Sequence, residues 1–144
     1  MMRYFLDTSA LVKIYHKESG SDIVLSIYSS DNVIFISELS RLEFISTIYR
    51  KFRNKDIDKG TLRVLEDKFA SDIYNRFRVI PLVSLLIDVA LGFIVEHGEF
   101  RHLVTLDAIQ LAVFSSIADD AVFVCGDARL NTLAKQIAFD VLEV

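Results

Sequence analysis

Four short apolar runs, Tyr4 to Leu6, Val33 to Ile36, Val79 to Leu82 and Ala121 to Val124, alternate along the chain with longer stretches of helical periodicity. Strands that are apolar without a break are covered on both faces, and strands separated by helices join as parallel neighbours. The chain is therefore expected to be α/β with a mostly parallel sheet. Val141-Leu142 is expected to add a short edge strand, and Pro81 places its own run at an edge, since proline donates nothing to a ladder. Helices are expected at Ser9 to Tyr15, Ser21 to Ser29, from an N-cap at Ser37 to about Lys55, Asp58 to Arg76, Ser84 to His97, Asp107 to Ile117 and Asp127 to Ala138. The helix from Ser84, apolar on most sides, is expected to be buried. No repeat, linker or low-complexity segment interrupts residues 1–144, so one domain is expected.

The first strand ends abruptly in a carboxylate, Asp7, followed by Thr8 and Ser9 and a new apolar pattern. In open α/β sheets ligands sit outside the carboxyl ends of the strands, so an acid there faces a site. Glu43 follows the second strand, one turn into the next helix, Asp107 opens a helix, and Asp127 follows the strand ending at Val124. Each alone has an ordinary explanation as a cap or first-turn acid. Four acids meeting at one sheet edge do not, because mutual repulsion raises their pKa values unless a cation lies between them. A hard, oxygen-seeking ion such as Mg²⁺ or Mn²⁺ is the natural occupant. Together Asp7, Glu43, Asp107 and Asp127 point to metal-assisted phosphodiester hydrolysis. Ser9 either orients Asp7 from behind or caps the first helix.

Composition narrows the classes. The chain has 144 residues, 52% of them hydrophobic, which excludes disorder. A single cysteine, Cys125, permits no internal disulfide and no thiolate zinc cluster, as expected of a reducing cytoplasm. No signal peptide and no bilayer-length apolar stretch is apparent. The net charge of −4 argues against binding through a broad basic field. It leaves room for a nuclease, whose clustered acids a bound metal offsets. Arg50, Lys51, Arg53 and Lys55 form a local basic patch, either a solvated helix end or a phosphate contact. Arg101 is a surface residue or a contact for phosphate or a partner carboxylate. His16, His97 and His102 lack zinc-pair spacing. Gln110 sits one turn after Asp107 and faces the site or the solvent. Gly126 is expected to permit a backbone bend.

The segments YFLDTSALVKIY, SRLEF, TLDAIQLA and FVCGDARL occur in that order across essentially the whole chain. This pattern resembles the PIN domain, and within it the VapC-type toxins of bacterial and archaeal toxin–antitoxin pairs. The resemblance implies a three-layer α/β/α fold around a five-stranded sheet and an acidic site binding Mg²⁺ or Mn²⁺. It also implies endoribonuclease activity on structured RNA, homodimerisation and neutralisation by a cognate antitoxin. By motif position Asp7, Glu43 and Asp107 match the family's three core acids, Asp127 the fourth, and Ser9 the polar residue after the first. Cys125 departs from the pattern, standing where the family has threonine or serine, and a thiol is the weaker hydrogen-bond partner.

Two further classes compete. A PIN-like module that binds RNA or protein without cutting it is compatible with the acidic balance and with Cys125. Other Mg²⁺-binding doubly wound domains fit poorly. Ser9 stands where an aspartyl phosphatase needs a second aspartate, and no acidic pair of the receiver type is present. The helices carrying Leu42, Ile45 and Ile48 and Leu62, Leu65 and Phe69 are rich in apolar residues for a monomer, and are expected to offer a homodimer surface or an antitoxin groove.

Overall fold

Leu6, Ile34, Ile36 and Val124 are buried in one apolar cluster while their alternates Phe5, Phe35 and Phe123 are buried in another. This two-sided burial is what the uninterrupted apolar runs require. In a computed structural model describing residues 1–144, they form strands β1 (Arg3–Leu6), β2 (Val33–Ser37), β3 (Phe77–Ile80), β4 (Val122–Cys125) and β5 (Val141–Glu143). All neighbours are parallel, in the order β3-β2-β1-β4-β5.

Helices α1 (Thr8–Tyr15), α2 (Ser21–Ser29), α3 (Leu39–Arg53) and α4 (Lys59–Asn75) cover one face. Helices α5 (Ser84–His97), α6 (Thr105–Ser115) and α7 (Ala128–Gln136) cover the other, giving the three-layer α/β/α, PIN-like arrangement. The first layer is pinned by aromatic packing, with Phe44 and Phe69 ring centroids 4.1 Å apart and Tyr15 4.8 Å from Phe44. A buried carboxylate ties three helices together: Asp72 of α4 accepts from Tyr15 Oη at 2.5 Å and Tyr28 Oη at 3.0 Å. No helix is long and apolar enough to cross a membrane.

Several expectations need correction. The third strand begins at Phe77 and stops at Ile80, before Pro81, because β3 pairs along its length with β2 and proline has no N–H to donate. Ser37 closes β2 rather than capping α3, although its Oγ accepts from Leu39 N at 3.1 Å. Helix α5 is not buried. Only Leu86 and Ala90 are fully covered, while Leu85 is 70% and Val95 75% exposed. As an outer-layer helix it has one inward stripe, and the rest of its apolar surface meets solvent.

Strand order fixes where a site can form. The chain moves outward from β1 through β2 to β3, then returns to the other side of β1 for β4 and β5. The carboxyl ends of β1 and β4 thus flank the switch point, where crossovers leave to opposite faces and a crevice opens.

Candidate active site

Asp7 follows β1 and Asp127 follows β4, so the fold sets both at that crevice. Glu43 comes from the second turn of α3, and Asp107 from the first turn of α6. All four line one cleft of about 800 Å³, together with Ser9 and Gln110.

Asp7 is the most constrained. Only 5% exposed, it caps α1, its Oδ1 accepting from Ala10 N at 3.0 Å and from Ser9 Oγ at 2.6 Å. Its Oδ2 accepts from the Cys125 thiol at 3.2 Å. Ser9 is therefore not the helix cap. It bridges Asp7 to β4 by accepting from Gly126 N at 2.8 Å. Gly126 has no left-handed backbone that calls for glycine, but it is closely approached by side chains. A Cβ there would lie 2.9 Å from Lys13 Cε and 3.4 Å from Ser9 Oγ. Cys125 is fully buried, and burial followed by the Asp7 charge pushes its thiol pKa well up, so it serves as a neutral donor.

Burial pushes the Asp7 pKa up to about 6, with the Glu43 charge adding to it and the Ser9, Ala10 and Cys125 hydrogen bonds opposing. Asp107 is also raised to about 6, first by desolvation and then by the charges of Asp127, Asp7 and Glu43, with His102 opposing. Mutual repulsion thus reaches Asp107 from all three other acids, but burial is the larger cause at both residues.

Glu43 is held by Gln110, which faces the site rather than the solvent, and by Thr8, which no sequence pattern singles out. Its Oε1 accepts from Thr8 Oγ1 at 2.7 Å and from Gln110 Nε2 at 2.8 Å. Gln110, 2% exposed, also reaches Ser40 Oγ at 3.0 Å, and Ser40 Oγ lies 3.0 Å from Thr8 Oγ1. The four groups close a ring in which the protons run from Gln110 to Ser40 to Thr8 and end on the carboxylate. The signal for Gln110 was its place three residues after Asp107, on the same helical face. Thr8 and Ser40 carried no signal, since small hydroxyl residues at helix starts are ordinary caps. Lys13 is a further addition, a buried lysine in the cleft wall whose Nζ donates to the Ser19 carbonyl at 2.5 Å.

Asp127 is exposed and caps α7, its Oδ1 accepting from Arg129 N at 2.9 Å and Leu130 N at 3.0 Å. Asp7, Glu43 and Asp127 therefore share a pattern in which one oxygen is fixed by two donors. The second oxygen takes no protein donor at Glu43 and Asp127, and only a thiol at Asp7. As the side chains stand, no three of them gather closely enough to grip an ion. The donor set still fits a hard divalent cation: carboxylate oxygens only, on three anchored side chains, around an Asp107 that its neighbours' charges disfavour as an anion.

The PIN domain family model matches residues 4–136. Among solved structures the chain is similar to the Mycobacterium tuberculosis VapC20 toxin, described as cleaving the sarcin-ricin loop, at 18% identity over 98% of each chain with a TM-score of 0.71. It is also similar to a chain of VapBC2 from Rickettsia felis bound to a promoter DNA fragment, at 17% identity over 99% of each chain with a TM-score of 0.66. FitAcB from Neisseria gonorrhoeae matches at 15% identity over 99% of this chain and 97% of that one, with a TM-score of 0.69. No curated protein matches the sequence at a significant level.

Proposed function

The chain belongs to the PIN-domain family, and from that premise we propose that it is a metal-dependent endoribonuclease acting as the toxin of a VapBC-type toxin–antitoxin pair. The observation that carries the proposal is the gathering of four carboxylates in one cleft at the sheet's switch point. Asp7, Glu43, Asp107 and Asp127 would hold Mg²⁺ or Mn²⁺ through the oxygens their anchors leave available. When bound, the cation supplies Lewis-acid stabilisation of charge building on the phosphoryl oxygens.

The chain's own residues do the remaining work. Ser9 fixes Asp7 against β4, and Thr8 with Gln110 fixes Glu43, so two donors from different elements are preset before metal arrives. Arg50 and Lys51 line the same cleft and can meet RNA phosphates, which an acidic protein must attract locally rather than globally, while Lys13 is buried and held by the Ser19 carbonyl and Glu18. The test is RNA cleavage by purified protein with Mg²⁺, Mn²⁺ or EDTA, beside Asp7→Asn and Asp107→Asn. Metal-dependent cutting lost in both variants is expected; full cutting in either sinks the assignment.

The second reading, a PIN-like module that binds RNA or protein without cutting, draws on the spread of the acids as they stand and on Cys125. It predicts RNA binding with no turnover under any divalent metal.

Two surfaces support protein partners. An apolar groove of about 600 Å³ between α3 and α4, lined by Leu42, Ile45, Phe69 and Ile73, suits an amphipathic antitoxin helix. The exposed face of α5 suits a second copy of the chain. In this reading the dimer face is α5 rather than α3 and α4, whose apolar residues Ile48, Leu62 and Leu65 are spent in the core. Toxin and antitoxin of this kind would act in the cytoplasm.

A further inference from the structure

The acid cleft does not end at the acids. Asp107 and Asp127 also line a second cavity, of about 560 Å³. Phe100, Arg101 and His102 line it from the segment between α5 and α6, and Arg129 and Thr132 from the start of α7. The Phe100 side chain belongs to none of the core clusters and is 84% exposed. An aromatic ring left in water on the lining of a cavity that also holds Arg101 and Arg129 has no role in the core.

Charge placement gives the cavity a direction. Four carboxylates repel a polyanion, so a phosphate backbone crossing them needs cations on both sides. Arg50 and Lys51 stand in the acid cleft, and Arg101 and Arg129 stand in the second cavity. The two sets bracket the acids and mark a path along which a chain of phosphates is held before and after them. The cavity is large enough for one nucleotide, and aromatic stacking with a backbone-tracking cation is how single strands are held without sequence preference.

We propose that this second cavity is a nucleotide subsite for single-stranded RNA, in which one unstacked base lies on Phe100 and the adjoining phosphate meets Arg101 and Arg129. The inference rests on the ribonuclease reading and adds to it that the strand next to the cut is unpaired. A base in a duplex cannot offer its face to Phe100, so substrate paired through this position is excluded.

The test is fluorescence anisotropy of the full wild-type chain in EDTA, which separates binding from cutting. Two probes of equal charge are used, a labelled oligouridylate octamer and the same octamer as abasic ribose phosphate. Phe100→Ala is expected to weaken oligouridylate binding about tenfold and leave the abasic probe unaffected, with Phe100→Tyr restoring it. Arg129→Gln is expected to weaken both probes. Equal binding of oligouridylate by Phe100→Ala and wild type overturns the subsite, as does an equal loss on both probes. So does a Phe100→Ala protein that loses only its self-association or its affinity for an acidic peptide, which would give the surface to a protein partner. Cleavage with Mn²⁺ is measured alongside. A Phe100-dependent binder that never cuts refutes the nuclease and keeps the subsite, whereas cutting without any Phe100 dependence refutes the subsite alone.

Discussion

Asp7→Asn is expected to stabilise the metal-free fold, although it removes the acid on which the proposed activity most depends. The Asp7 carboxyl, nearly inaccessible, has its pKa raised from 3.8 to about 6 in the folded chain. A carboxylate raised in the native state binds protons more tightly there than in the unfolded chain. Its contribution is therefore neutral below the unfolded pKa and becomes a destabilisation as pH rises through the window between the two values. A shift of roughly two units corresponds to about 3 kcal/mol once both states are ionised, near pH 8, and to about 1.5 kcal/mol near pH 5. Asparagine keeps the shape and the acceptor for Ala10 N without the charge. Urea denaturation in EDTA should show the variant more stable by about 1 to 3 kcal/mol near pH 8, with the gap shrinking as pH falls toward 4. A variant less stable than wild type at alkaline pH, or a gap that does not change with pH, would refute the claim that Asp7 is held as an unfavourable buried charge. Saturating Mn²⁺ should reverse the order, since an ion that binds only the folded wild type stabilises it by mass action.

Thr8→Val removes one of the two donors on Glu43 at nearly constant volume and should lower Mn²⁺ affinity by about 10- to 100-fold in calorimetry, with Thr8→Ser restoring it; equal affinity for all three proteins would deny Thr8 a positioning role. Phe44→Ala should cost about 3 to 5 kcal/mol in chemical denaturation, because the ring is fully buried against Phe69 and Tyr15. Leu91→Arg on the outer face of α5 should leave the fold intact and convert a dimer to a monomer in sedimentation. An unchanged dimer would move the interface elsewhere.

The sheet and the acids were legible because each follows from a pattern carried by neighbouring residues. Two-sided burial of Tyr4 to Leu6 or Val33 to Ile36 shows directly as apolar runs, and a carboxylate ending such a run marks the strand's carboxyl end. The third strand was misplaced because Phe77-Arg78-Val79-Ile80 carries a charged residue inside it. Arg78 sits exposed on an edge strand, where period and burial give no warning. Helix α5 was misjudged for the opposite reason. Apolar composition on every side is the same for a helix inside a core and for one that keeps apolar residues on its outer face, and only the tertiary structure separates them. The ring around Glu43 was invisible because it joins Thr8, Ser40 and Gln110 from three helices across up to 102 positions of sequence. Contacts of that kind depend on strand order, which no local pattern encodes.

Cys125 is where the departure from the family pattern acquires a physical consequence. Asp7 Oδ1 is fixed by two good donors, and Oδ2 by a thiol alone. A hydroxyl in the same place donates more strongly to an ionised carboxylate, so the thiol leaves Asp7 more easily protonated than the usual residue would. Protons then compete with the cation for Asp7 at a higher pH in this chain than in one with serine. Cys125→Ser should pull the Asp7 pKa below its present value of about 6 and carry the acid limb of Mn²⁺ binding down with it, by a fraction of a unit. Burying a serine where Cys125 shares a buried cluster with Phe5 and Phe123 should cost on the order of 1 kcal/mol of stability, because the smaller side chain fills less of that cluster. The two effects have opposite signs and separate assays, calorimetric titration with Mn²⁺ across pH and chemical denaturation. An acid limb that stays in place when the thiol becomes a hydroxyl would mean that Cys125 packs the sheet without tuning Asp7, and that the ionisation controlling metal entry belongs to Asp107.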